Sequence, residues 1–101
     1  MLNRNKSYEV KDWFGDKVAQ EVKRNISMCD VFAIMKETEK AVYAMLNLGE
    51  NFRKCMWVPK SVLVENEVGE QANGTYAHET IFEEDYDKCV KMFKDHWEQF
   101  I

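Results

Sequence analysis

The chain reads as one α+β domain, a small antiparallel sheet of three to four strands packed with an N-terminal and a C-terminal amphipathic helix. Three observations carry that expectation. Between Met28 and Val64 apolar residues recur with the period of two that strands require, broken by short polar, glycine and proline stretches. On either side, Glu9 to Arg24 and Thr80 to Phe100 carry apolar residues at helical spacing. The length, 101 residues, suits a single domain over 1–101 whose core buries roughly two thirds of the unfolded surface.

In order, residues 1–7 form a short polar tail expected to fray. From Glu9 to Arg24, Val10, Trp13, Phe14, Val18 and Val22 make the apolar stripe of a helix, with Asp16, Lys17, Gln20, Glu21 and Lys23 between them. Gly15 costs about 1 kcal/mol against alanine inside a helix, which leaves Asp12 and Asp16 open as alternative starts. Asn25 is a suitable stop.

Ile26 to Lys36 changes period. Cys29, Val31, Ala33 and Met35 alternate with Met28, Asp30, Phe32 and Ile34, so both faces are largely apolar and a central strand is expected, with a buried helix as the competing assignment. Thr38-Glu39 makes a tight connection to a second strand, in which Ala41, Tyr43 and Met45 alternate with Val42, Ala44, Leu46 and Leu48. Gly49-Glu50-Asn51 is a hairpin loop. A third strand sets Phe52, Lys54, Met56 and Val58 against Arg53, Cys55 and Trp57; Pro59 places it at an edge or a bulge, and Val62 to Glu65 continues after it. The result is an antiparallel meander.

Residues 66–79 dissolve into an acidic loop or long hairpin tip. Thr80-Ile81-Phe82-Glu83 has the pattern of a capping box, in which the Thr80 hydroxyl accepts from the Glu83 amide while Glu83 reaches back. The helix expected from it carries Phe82, Tyr86, Cys89, Val90, Phe93, Trp97 and Phe100 as one stripe. Acids stand at its positive end, and Glu84 with Lys88 and Asp87 with Lys91 are spaced as i,i+4 pairs. Both helices are expected on a sheet face.

The chemistry-bearing residues exclude more than they suggest. Cys29, Cys55 and Cys89 are odd in number, far apart and without a C-x-x-C pair, which points to reduced thiols acting as small core residues. A zinc site would have to recruit His78 and His96 from unrelated segments, so neither metal nor cofactor is expected. No serine or cysteine stands in a nucleophile context, the four glycines form no phosphate-binding spacing, and Glu83 and Asp87 sit on an exposed helix face where nothing raises a carboxyl pKa. A non-enzyme is expected. No apolar run approaches the roughly 20 residues of a membrane span, and the basic N-terminus is followed by no apolar stretch, so a cytoplasmic location is expected.

Two phrases stand out, Lys36-Glu37-Thr38-Glu39-Lys40-Ala41-Val42 and Trp57-Val58-Pro59-Lys60-Ser61. Structurally, Trp57 anchors the sheet, Pro59 bulges it and Ser61 bonds local backbone. Functionally, Trp57 and Lys60 with Arg53 and Lys54 make an aromatic and basic surface able to stack and neutralise a nucleic acid or nucleotide. Together the phrases resemble a pattern in small uncharacterised proteins of bacteriophages and mobile elements of Gram-positive bacteria, a T-x-K-A-hydrophobic strand followed by a W-x-P-K-S strand. The resemblance covers about 30 residues of the chain, which departs from the pattern in the acidic insert and helix that follow. It implies an accessory protein of a mobile element, acting in the cytoplasm of a bacterial host, and it implies no reaction.

Charge supplies the partner. From Ser61 to Asp87 there is no lysine or arginine but eight acids, Glu65, Glu67, Glu70, Glu79, Glu83, Glu84, Asp85 and Asp87, against a net charge of -4 for the whole chain. A solvated loop leading into a helix N-terminus would favour acids anyway. The functional reading is a partner surface formed by Glu65, Glu67, Glu70, Glu79, Glu83, Glu84 and Asp87 that imitates spaced phosphates and engages a basic nucleic-acid-handling protein. With the resemblance, this describes an anti-CRISPR-like inhibitor whose partner is a CRISPR effector; direct nucleic-acid binding through Arg53, Lys54, Trp57 and Lys60 is the alternative.

Overall fold

The computed structural model describes residues 1–49, 52–70 and 76–98, and the side chains of all of these except Glu70, Tyr76, His96, Trp97 and Glu98. Its elements are β1 (Ser7–Val10), α1 (Asp12–Val22), β2 (Asp30–Glu37), β3 (Ala41–Gly49), β4 (Phe52–Pro59), a 3₁₀ turn (Lys60–Val62), β5 (Leu63–Asn66), β6 (Gly69–Glu70), β7 (Tyr76–Ala77), β8 (Ile81–Phe82) and α2 (Tyr86–Glu98). The main sheet runs β4-β3-β2-β1-β5, with β8 parallel beside β2, and β6 and β7 form a separate two-stranded ladder. The α+β class is as the sequence predicts. The strand count and the seating of the helices are not.

The structure differs from the expectation at three places. Ser7 is not frayed: with Tyr8 and Val10 it is buried in β1, which inserts between β2 and β5. The segment after Pro59 does not continue β4. A 3₁₀ turn carries it to the far end of the sheet, where Leu63 to Asn66 pair with Val10 to Ser7. The helices cover opposite faces. Phe14 and Val18 of α1 join Tyr8, Val31, Val42, Leu46 and Val58 in one core, while Cys89 and Phe93 of α2 join Phe32, Met35 and Met45 in a second. Helix α1 starts at Asp12, one of the two alternative starts, because Val10 is committed to β1. It ends at Lys23, whose left-handed φ of 57° closes it two residues before Asn25. Trp13 faces away from the core, 59 % exposed.

Strand β2 departs from strict alternation. Its pairing with β3 slips between Val31 and Ala33 and again between Ile34 and Lys36. Each slip is a bulge that sets two residues against one and turns both to the same side. Phe32, Ala33 and Met35 therefore all reach the α2 core, while Val31 and Ile34 keep to the α1 core. The β2–β3 connection is as tight as expected: the Thr38 N–H donates to the Ala41 carbonyl at 2.8 Å and the Thr38 hydroxyl accepts from the Ala41 N–H at 3.1 Å. Gly49 ends β3 at φ 93°, where a Cβ would fall 1.9 Å from the Ser27 Oγ, so only glycine fits. Glu50 and Asn51 of the expected loop lie outside the described residues.

Thr80 caps no helix. It is 1 % exposed, and its hydroxyl accepts from the Tyr8 N–H at 2.9 Å and donates to the Val31 carbonyl at 2.9 Å, while its own N–H donates to the Lys6 carbonyl at 3.1 Å. Ile81 and Phe82 then pair with Ala33 and Ile34 as β8, and the Glu83 N–H donates to the Ile34 carbonyl. The helix begins after Asp85, whose Oδ1 accepts from the Asp87 and Lys88 N–H groups at 2.9 and 3.2 Å. With the start displaced, Lys88 pairs with Glu83 at 3.4 Å in place of Glu84. Tyr86 is half exposed, whereas Phe93 meets Phe32 edge to face at 5.2 Å; Phe100 and the side chains of Trp97 and His96 lie outside the described set.

Thr80→Val, which leaves the Tyr8 N–H and the Val31 carbonyl buried without a partner, should cost about 2 to 4 kcal/mol, and Thr80→Ser should cost under about 1.5. Urea denaturation distinguishes them, and equal losses for both would show that the methyl group matters and the hydroxyl does not. Phe93→Ala should cost about 3 to 5 kcal/mol. A loss below about 1 kcal/mol would mean that α2 is not seated on the sheet.

Candidate functional site

The acidic residues fall into two sets. Those already engaged by the fold are Glu65, which faces the Tyr8 hydroxyl at 3.1 Å, Glu67, which is ion-paired with Lys6, and Glu83, which is paired with Lys88. Asp85 is spent on the α2 cap. Glu79, Glu84 and Asp87 are exposed along the path from β7 through β8 into α2, and the Glu70 side chain lies outside the described set. Two cations of the N-terminal segment reach the same end. Lys6 holds Glu67, and Arg4 lies over the Phe82 ring at 4.9 Å, between a hollow it shares with Glu79 and another it shares with Glu83 and Glu84. Glu65 and Asp85 bind neutral donors and keep their charge, and among the described residues the side chains of Glu79, Glu84 and Asp87 are exposed with no hydrogen bond or ion pair.

The aromatic and basic group does not assemble as one surface. Strand β4 turns Arg53, Cys55 and Trp57 toward the α2 side and Lys54 toward the α1 side, where it pairs with Glu21 at 3.8 Å. Arg53 stands over the Phe93 ring at 5.6 Å. Lys60 is tied to Glu37 at 2.6 Å, and this pairing, with the Leu2 N–H donating to the same carboxylate, holds the Glu37 carboxyl below its ordinary range. The two phrases singled out in the sequence prove to be one corner. Lys60 donates its N–H to the Lys40 carbonyl, Ala41 faces Pro59, and Tyr43 faces Trp57 with their rings 5.4 Å apart. Trp57 is half exposed at 49 %, the one member of the group free to stack on a ligand.

No family model matches this chain, and no curated protein or solved structure matches it. Among the described residues, no group of three or more His, Cys, Asp or Glu is placed to hold a metal ion, and no helix is long and apolar enough to cross a membrane. The three cysteines are free thiols, and burial pushes all of them up, Cys29 to about 12, which disfavours the thiolate a nucleophile needs.

Among the described residues, Asp30 is a strongly perturbed carboxyl that sequence reasoning missed. Asp30 opens β2 directly opposite Glu9 of β1, two like charges in a cross-strand pair. Both border a hollow of about 700 Å³ beside α1, with Asp12, Asp16 and Cys29 on its rim. Burial, and then the Glu9 carboxylate, push the Asp30 carboxyl up to about 6. The available signal was an aspartate inside an otherwise apolar run, but the facing strand lay in a segment read as tail and helix.

Asp30 holds its proton more tightly folded than unfolded, so its contribution is favourable at low pH and is lost as pH rises from about 4 to about 6. The loss is on the order of 2 to 3 kcal/mol. Asp30→Asn should therefore stabilise the protein at pH 8 and leave it little changed at pH 4. Chemical denaturation at both values checks this, and a variant that gains nothing at pH 8 refutes it.

Proposed function

We propose that the chain is a non-enzymatic, protein-binding inhibitor of a phage or mobile element, acting in the bacterial cytoplasm, whose acidic surface engages a basic nucleic-acid-handling effector such as a CRISPR effector. The observation that carries this reading is the stretch from Ser61 to Asp87, eight acids without a single lysine or arginine, of which Glu79, Glu84 and Asp87 are exposed and unpaired among the described residues, while Glu65, Glu67, Glu83 and Asp85 bond within the fold. Spaced carboxylates on a rigid support present a basic groove with the charge pattern of a nucleic-acid backbone. The support here is β8 and the first turn of α2, both anchored to β2. Such a surface accelerates encounter and rejects acidic competitors more than it adds raw affinity. Direct binding of nucleic acid or nucleotide is the weaker reading, because Lys54 and Lys60 are held by Glu21 and Glu37 and Arg53 and Lys54 face opposite ways.

Reversing Glu79, Glu84 and Asp87 to lysine should abolish capture of the basic effector, since charge reversal turns attraction into repulsion worth several kcal/mol. The fold should lose only the favourable placement of Asp87 in the first turn of α2, about 0.3 to 1 kcal/mol. Pull-down and inhibition by this variant are compared with those of a Trp57→Ala, Lys60→Ala variant, circular dichroism confirming both folds. Full activity of the acidic reversal alongside loss in the Trp57 and Lys60 variant would transfer the function to the β4 corner.

A further inference from the structure

We propose that the free edge of β4 is a self-association surface, on which a second copy of this chain adds its own β4 antiparallel about a two-fold axis at Cys55. Strand β4 ends the main sheet, pairing with β3 alone along its eight residues. Which of its backbone groups face outward follows from the ladder. Lys60 donates to the Lys40 carbonyl and stands in register opposite it, so Val58, Met56 and Lys54 exchange hydrogen bonds with Val42, Ala44 and Leu46. The N–H and C=O groups of Arg53, Cys55 and Trp57 therefore point away from β3, and among the described residues none has a partner. Pro59, with no N–H to offer, marks where outward pairing must stop.

Edges of this kind are usually guarded by charge, but here the guards are turned inward. Lys54 is held by Glu21, Lys60 by Glu37, and Arg53 lies against the Phe93 ring. What remains at the edge is the row of peptide groups and Trp57, 49 % exposed. Strand chemistry then selects the occupant and the register. Pairing Cys55 with Cys55 of the second copy sets Arg53 opposite Trp57, Lys54 opposite Met56 and Phe52 opposite Val58, so that no like charges meet and each guanidinium finds an aromatic ring. Centring the axis one position earlier would set Lys54 against Lys54, and two positions earlier Arg53 against Arg53. A shift of one the other way sets Pro59, which has no N–H, opposite Arg53 at a hydrogen-bonding position. The interface uses none of Glu79, Glu84 and Asp87, and it does not depend on the acidic-surface reading.

Sedimentation equilibrium on the full chain from about 1 µM to about 1 mM, with amide hydrogen exchange by NMR at the same concentrations, tests the assignment. The expected result is a monomer–dimer equilibrium in which the Arg53, Cys55 and Trp57 amides gain protection as the dimer forms. Trp57→Arg puts a guanidinium opposite Arg53 of the second copy at both symmetric positions and should weaken the dimer at least about tenfold. Adding Arg53→Glu to it restores an attractive pair and should recover association, a rescue that a merely unfolded variant cannot show. A monomer throughout the range overturns the proposal, as does a dimer whose β4 amides exchange as fast as in the monomer, or one that Trp57→Arg leaves intact.

Discussion

The Thr80 hydroxyl sits where four parts of the chain meet, and the remainder of the architecture is arranged about it. A central strand has two flanks, and β2 gives one of them wholly to β3. The other is divided: β1 pairs at Asp30 and Val31, β8 pairs at Ala33 and Ile34. At such a change of partner a backbone donor on the departing strand and an acceptor on the continuing one would be left buried and empty, each a loss of about 1 to 3 kcal/mol. One side chain of the right length, carrying both a donor and an acceptor, closes the gap between the Tyr8 N–H and the Val31 carbonyl. From β8 the chain runs into α2, which packs on the face opposite α1.

That junction also explains what could be read from the residues alone and what could not. Strands β2, β3 and β4 were legible because their pairings are local and their alternation is carried in the side chains; Pro59 correctly marked an edge. The flank of β2 was not, since nothing in Lys6 to Val10 distinguishes the first turn of an amphipathic helix from a four-residue strand until its partners are known. Thr80-Ile81-Phe82-Glu83 has the composition of a capping box, yet a buried backbone vacancy elsewhere has the stronger claim on a threonine hydroxyl than an exposed helix end that Asp85 can cap. The bulges in β2 are hidden for the same reason: an apolar run satisfies any register, and only the facing cores decide which residues turn together.

The charge pattern was legible in amount and only partly in consequence. Eight acids in one stretch are plain in the sequence, but their effective number is set by tertiary neighbours. Lys6, far away along the chain, is brought to Glu67 because β1 pairs with β5, and Lys88 reaches Glu83 because the helix starts late. The basic group is neutralised in the same way, Lys54 of β4 by Glu21 and Lys60 of the 3₁₀ turn by Glu37. The conspicuous Trp57 to Ser61 phrase and its companion are accordingly best understood as the two sides of one corner, with the Glu37–Lys60 pair and the Tyr43–Trp57 contact holding the β2–β3 turn against the end of β4.

Strand order gives the remaining asymmetry a direction. Strand β5, with Glu65, closes one end of the sheet and β4, with Arg53 and Lys54, the other, four strand spacings or roughly 19 Å apart. At about two Debye lengths in physiological salt, events at one edge are electrostatically independent of the other. A copy docked on β4 would extend the sheet in its own plane and leave β5 as the outer edge of each half. The peptide edge that folding leaves open on β4 and the acids it leaves exposed along the path from β7 into α2 are thus separate features of one fold.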